Sequence, residues 1–397
     1  MLGAIYIGLS GMKAYSKGLQ TISNNVANLN TPGFKTSTIN FTDVFSSGGG
    51  GLTFFSGMES QQAGNGVRYG QSSINFQQGD LRESDGDLDL AIQGSGMLVL
   101  LDGDKTYYAR TGQFVVGEDG YISQQGTGYH LAVLDASNAP VALNIDAKRT
   151  SKPAATTKIT FADNLSATAT EASVSSIAVY DSLGGKQIWQ AKFTPVSGST
   201  GEWTVTVTDQ TGATVGTSTL KFIGSVVDPT TSTLTITDTP GGGANPLSVT
   251  LDFSSGVTSY SSGTSSTLRA ATVDGNGIGA LTSVTVDPDG QIKLAYSNSK
   301  TELLGAVALA DFRDPQQLTR VGNGLYEDRS GGQHRLLASA SDGVGKLVSK
   351  QIEASNVDLS QEFGDLILIQ RGFQASSQVV SVSNDMIQQL FGIRGQG

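Results

Sequence analysis

Cysteine is absent from the chain's 397 residues, which excludes disulfide staples, thiol catalysis and Cys-ligated zinc together. Histidine is scarce. His130 and His334 fall in no metal-ligand spacing and read as surface or satisfied side chains. Basic residues number 25 against 35 acidic ones, for a net charge of −10, and they form no run. That balance excludes nucleic acid and anionic membrane surfaces as partners, because both are bound by clustered Lys and Arg. No apolar stretch approaches about 18 residues, so no membrane insertion is expected. Residues 1–12 carry neither a basic leader nor a small-residue cleavage site, so a removable secretory signal is not expected. Neither a G-x-S-x-G elbow nor a Walker A loop occurs.

Two near-motifs dissolve on inspection. Gly275-Asn276-Gly277-Ile278-Gly279-Ala280 matches G-x-G-x-x-A, but a strand-like run follows it where a dinucleotide site needs a helix. Asp85, Asp87 and Asp89 start like a calcium loop, but Leu90 and Gly96 stand where Gly and Glu are required; they read as the solvent face of an alternating strand. The expectation is a non-enzyme with no catalytic residue, metal site or cofactor.

What is present is glycine (51 residues) with long Ser/Thr stretches, a composition suited to short strands and tight turns. Only the two ends depart from it. Residues 5–29 carry heptad rows, Ile5, Met12, Leu19 and Val26 with Gly8, Tyr15, Ile22 and Leu29; Pro32-Gly33 stops the helix, and the cluster Asn24, Asn25, Asn28 and Asn30 is expected to fray its end. Near the C-terminus Leu359, Leu366, Phe373, Val380 and Ile387 recur every seven residues. Their alternate row is Phe363, Gln370, Ser377, Asn384 and Phe391, and Ser355 with Asp358 forms a capping box ahead of them. Seams at both ends close either on each other within one chain or on neighbours in an assembly, and the pattern favours neither. Between them period-two runs such as Leu88–Ile92, Trp203–Val207 and Val284–Val286 alternate with turns at Asp102-Gly103, Asp119-Gly120 and Asp289-Gly290.

The organisation read from this is multidomain α+β. Terminal helices (1–30 with 356–397) pair as a coiled-coil-like layer, and a flexible connector spans 31–70. Two mainly β domains follow, 71–147 with 274–355 and, inserted in it, 148–273. Gly48, Gly49, Gly50 and Gly51, and Gly275, Gly277 and Gly279, are hinge candidates.

Four ordered segments carry a resemblance. The first comprises Gly8–Met12, Ile22–Asn28 and Thr31-Pro32-Gly33-Phe34-Lys35. The second and third are Leu88–Gly96 and Tyr108-Ala109-Arg110-Thr111-Gly112-Gln113-Phe114. The last is Glu353–Ser360 with Gln370–Ala375. Together they resemble the bacterial flagellar rod, hook and hook-associated axial proteins, over roughly 1–145 and 275–397. Met97-Leu98 stands where hook-type members often have an aromatic pair, and Phe373 where Tyr is usual; both keep an apolar side chain. The insert, with Val179–Gly184, Glu202-Trp203 and the 297–311 run, is similar to hook proteins rather than to the shorter rod subunits.

The resemblance implies a structural subunit of the flagellar hook. Such a subunit polymerises into a flexible curved tube that joins rod to filament and transmits motor torque as a universal joint. It implies a homopolymer, with distal rod, hook cap and hook–filament junction proteins as partners. It also implies extracellular delivery through the flagellar type III export apparatus without signal cleavage. The polymerisation interface expected is Ile5, Leu9, Met12, Leu19, Ile22, Val26, Leu359, Phe363, Leu366, Phe373, Val380 and Ile387. A rod subunit of the same family is the alternative within it. A β-rich secreted adhesin is the alternative outside it, separable because it needs no paired heptad ends. A polysaccharide hydrolase would present more aromatics than 7% with two Trp.

Overall fold

The computed structural model describes residues 2–45, 64–329, 331, 334–341 and 343–394. The chain divides into two compact units. Unit 1 comprises Met1–Asp146, Thr285–Lys293 and Leu303–Gly397, and unit 2 comprises Ala147–Val284 and Leu294–Glu302.

Unit 1 carries the two long helices, α1 (Leu2–Ala27) and α2 (Leu359–Arg394). The asparagines that end α1 are ordered: Asn28 donates from its side chain to the Asn24 carbonyl at 2.8 Å, continuing the last turn. Asp358 caps α2, its Oδ1 accepting from the amides of Ser360 at 2.8 Å and Gln361 at 3.2 Å. Ser355, expected to share that cap, instead accepts from Val357 N one turn earlier.

Residues 31–70 differ from the connector expected there. They contain β1 (Ser37–Phe45) and the start of β2 (Gly64–Ile74), which pair antiparallel from Ser37↔Ile74 to Phe45↔Gly64. Ile39, Phe41 and Val44, with Thr38 and Thr42, give β1 its strand character. Gly48, Gly49, Gly50 and Gly51 lie outside the described residues.

The β-body of unit 1 is a mixed-order antiparallel sheet. Its centre runs Lys105–Ala109, Met97–Asp102, His130–Leu134, Ile122–Gln124, Thr111–Val116 and Asp89–Gln93. Leu90, Ile92, Leu98, Leu100, Ile122 and Leu131 fill its core. Asp89, expected to face solvent, is buried and accepts from Ser84 Oγ and Gln113 Nε2.

Unit 2 is built on a second sheet with Ala172–Tyr180, Lys186–Pro195, Glu202–Thr208 and Thr214–Ile223 in consecutive antiparallel pairing. Trp189, Trp203, Phe161, Phe193 and Phe253 are buried together at its centre. The three phenylalanines contact through stacked and edge-on pairs at 4.6–6.2 Å.

One turn recurs in both units and accounts for part of the acid content. Asp135, Asp181, Asp209 and Asp287 each accept, through Oδ1, the amides two and four residues on, at 2.7–3.0 Å. The residue three on has positive φ: Asn138 at 59°, Gly184 at 86°, Gly212 at 84° and Gly290 at 79°. The Asp289-Gly290 turn is therefore anchored by Asp287.

Candidate functional site

The two helices pair antiparallel within the chain, and the seam is made by small residues. Gly8, Gly11 and Gly18 of α1 are buried. A Cβ on Gly8 would lie 2.7 Å from Val380 Cγ2, one on Gly11 2.6 Å from Ser376 Oγ, and one on Gly18 2.7 Å from Ile369 Cδ1. From the other side, a Cβ on Gly372 would meet the Tyr15 ring at 2.5 Å. Glycine costs about 1 kcal/mol in a helix interior relative to alanine. Here the missing Cβ leaves room for the Val380, Ser376 and Ile369 side chains of α2 and the Tyr15 ring of α1, and at Gly8 for the Ser376 carbonyl as well.

The rows follow. On α1 the seam is Ala4, Gly8, Gly11, Tyr15, Gly18, Ile22 and Asn25; on α2 it is Glu362, Leu366, Ile369, Phe373, Ser376, Val380, Ser383 and Ile387, each alternating steps of four and three. Of the residues expected at an interface, Ile22 is buried in this seam, and Leu366, Phe373, Val380 and Ile387 form one row of it, half-buried. Ile5, Met12, Leu19 and Val26 flank it, half-buried, and the row beside them holds the glycines instead. The alternate row on α2 is displaced by one residue from the one expected, to Glu362, Ile369, Ser376 and Ser383. Leu9 and Phe363 stand outside the seam, 57% and 49% exposed, and Leu359 is also exposed.

Asn25, expected to fray α1, is a buried clamp. Its amide donates to Ser37 O and Glu362 Oε1, both at 2.9 Å, and its Oδ1 accepts from Ser37 N at 3.1 Å. It thereby joins α1, β1 and α2. Burial pushes the Glu362 carboxyl above its usual value, and Asp365 and Asp358 push it the same way, against the Asn25 hydrogen bond. β1 and β2 lie along α1: Tyr15 meets Phe41 at 5.6 Å between ring centroids, and Ser10 Oγ accepts from Val67 N at 3.2 Å.

Below the helices three of the sequence motifs meet in one buried ionic joint. Lys35 ends Thr31–Lys35, Arg110 lies in Tyr108–Phe114, and Glu353 opens Glu353–Ser360; all three are buried. Glu353 pairs with Lys35 through Oε1 and with Arg110 Nε through Oε2 at 3.1 Å, and accepts from Gly79 N at 2.9 Å. Lys35 also donates to Gln77 O at 2.6 Å, and Arg110 to the carbonyls of Ile92, Gly94 and Gly96. Burial pushes the Lys35 ammonium below its usual value, and Arg110 adds to this while Glu353 opposes it. Arg320 closes the joint, donating to Lys35 O and lying 4.5 Å from the Phe34 ring centroid. Asn356 ties the start of α2 to the same place, bonding Thr36 N, Asn75 O and Gln77 O at 2.8–2.9 Å.

The second set of hinge candidates is packed rather than open. Gly275, Gly277 and Gly279 lie in unit 2. Cβ atoms on them would meet Thr156, Tyr180 and Asn298. Asn276 between them exchanges both backbone hydrogen bonds with Ala154 at 2.9 Å. Their bare backbone serves close approach.

Among the described residues no group of three or more His, Cys, Asp or Glu is placed to hold a metal ion. His130 stacks on Tyr121 at 4.4 Å and bonds Ser123 Oγ; His334 packs on Tyr108 and Phe312.

Three family models match in order along the chain: flagella basal body rod protein at 5–35, flagellar basal body protein FlaE D2 domain at 144–276, and flagellar basal body rod FlgEFG protein C-terminal at 348–393. The flagellar hook protein FlgE of Treponema pallidum is 29% identical, with 99% of this chain and all of that protein aligned. FlgE of Salmonella typhimurium is 28% identical over 97% of this chain and 98% of its own. Over nearly its whole length the chain is similar to flagellar hook proteins. FlgE of Escherichia coli is likewise 28% identical over 97% of this chain. The crystal structure of the Helicobacter pylori hook protein FlgE2 shares the fold, with a TM-score of 0.50 at 15% identity, covering 69% of this chain and 100% of that one.

Proposed function

We propose that this chain is a structural subunit of the bacterial flagellar hook. It polymerises into a flexible curved tube that joins rod to filament and transmits motor torque. The observation that carries this reading is a terminal helix pair already closed along a glycine seam and still apolar outside. Leu9, Phe363, Ile367, Leu368, Val379, Val382, Met386 and Leu390 remain exposed, and clustered apolar side chains left on a surface mark a contact with a neighbour. The names carried by its full-length relatives support the same reading.

In this reading the expected interface divides. Ile22, Leu366, Phe373, Val380 and Ile387 hold the pair together, and Leu9, Leu359 and Phe363 face neighbouring subunits. Ile5, Met12, Leu19 and Val26 border both. Unit 2, whose span includes most of the FlaE D2 match, favours a hook over a rod subunit. The partners are further copies, then distal rod, hook cap and hook–filament junction proteins. Delivery is by flagellar type III export, with the N-terminus kept. Among the described residues no helix is long and apolar enough to cross a membrane.

Concentrating the purified chain and viewing it by negative stain tests the reading. Curved tubes are expected, along with restored motility when the gene is placed in a hookless strain. Failure of both would overturn it.

A further inference from the structure

A groove of about 310 Å³ runs between α1 and the β1–β2 pair, lined by Tyr6, Leu9, Val44, Val67 and Tyr69, with Lys13 and Arg68 at its edge. Tyr6, Leu9 and Tyr69 are among the exposed large apolar residues. No carboxylate lines the groove, and α1 itself carries two lysines, Lys13 and Lys17, and no acid. It is therefore an apolar slot with a positive rim.

A surface of matching chemistry lies on α2. Leu368, Ala375, Val379, Val382, Met386 and Leu390 follow one another at steps of seven, four, three, four and four, which aligns them on one face of the helix, bordering the seam only at Val379 beside Gly8. The five large side chains are 40–68% exposed. Beside this stripe stands Asp385, the only acid between Leu366 and Arg394. From Val379 to Leu390 the stripe spans about 16 Å at 1.5 Å per residue, long enough to fill the groove alongside Tyr6 to Lys13.

We infer that the groove receives the α2 stripe of a second copy of this chain, with Asp385 of that copy set against Lys13 and Arg68. The inference rests on the hook reading and adds to it a specific contact between subunits. Apolar complementarity holds the contact, and the opposite charges fix its register and exclude other alignments. Because α1 carries cations and no acids, two α1 helices repel, so the slot selects α2 over a second α1.

The test is a charge swap read as the minimum concentration for tube formation at low salt. Lys13→Glu and Asp385→Lys are each expected to raise that concentration about tenfold, and the double variant to return it to within about threefold of wild type. The single-variant penalties should shrink as salt rises, because exposed charges are screened. Circular dichroism of the monomers should match wild type, since both side chains lie outside the seam. If the double variant is no better than the worse single one, or Asp385→Lys assembles normally, another occupant fills the groove and this inference falls while the hook reading stands. If the wild-type chain forms no tubes, the hook reading itself falls.

Discussion

Gly18 of α1 sits so close to Ile369 of α2 that a Cβ added to the glycine would come within 2.7 Å of the isoleucine Cδ1. The same close approach recurs at Gly8, Gly11 and Gly372, so the terminal layer depends on what these residues lack. Gly18→Val is expected to destabilise the pair by about 1–3 kcal/mol through overpacking. Gly364→Ala, on the same layer with nothing within 4 Å of the new Cβ, is expected to stabilise α2 by up to about 1 kcal/mol. Helix content followed by circular dichroism during thermal melting separates the two. Equal effects of the two variants would show that the seam is not close-packed.

Glu362 makes the pair pH-dependent. Its folded carboxyl is held above the usual 4.5, first by burial and then by Asp365 and Asp358. A raised carboxyl favours the protonated folded state, so its contribution is greatest at and below pH 4.5 and is lost as pH rises through the folded value. Glu362→Gln should therefore raise the melting temperature of the helices at pH 7 and remove this dependence. An unchanged pH profile in the variant would show that another group is responsible.

The buried joint predicts a larger effect. Removing the charge of Glu353 leaves Lys35 and Arg110 facing each other without their shared anion. Glu353→Gln is expected to cost about 3–5 kcal/mol, the usual penalty for breaking a buried pair. Urea denaturation of unit 1, with the unit 2 tryptophans as an internal reference, would measure it. A loss below about 1 kcal/mol would mean that water reaches the site.

In unit 2, Asp252 is expected to govern part of the acid stability. Burial pushes its carboxyl up, but Lys158 at 2.6 Å, with the Ser254 hydroxyl and amide, outweighs burial and brings it down to about 2. The depressed value contributes stability above the usual 3.8 that is lost as pH falls through about 2. Tryptophan fluorescence of Asp252→Asn should show a shallower acid transition between those values. A transition identical to wild type would assign it to other carboxylates.

The terminal helices were legible in the sequence to within one row. Leu366, Phe373, Val380 and Ile387 lie on the seam because a seven-residue period fixes one line along a helix. The companion line is ambiguous, since a step of three and a step of four both satisfy the period. Choosing it by apolarity selected Ile5, Met12, Leu19 and Val26 over Ala4, Gly11, Gly18 and Asn25, and Phe363 over Glu362. A close-packed seam rewards small side chains instead, and three glycines in one helix at steps of three and seven were the available signal. The ionic joint had no such signal. Lys35, Arg110 and Glu353 sit in separate motifs, and one sequence carries no information about which distant charges meet. The strands of unit 2 were legible because apolar residues alternate around Trp203 and Val249, every second side chain there being buried.

Lys35 and Glu353 are 318 positions apart, yet each is the other's counter-charge. A chain made from its N-terminus forward therefore holds an unmatched lysine until nearly its last tenth has appeared. Closing so long a loop comes late in folding. The joint works like a latch whose two halves come from distant parts of the chain, so it closes only when both are in place.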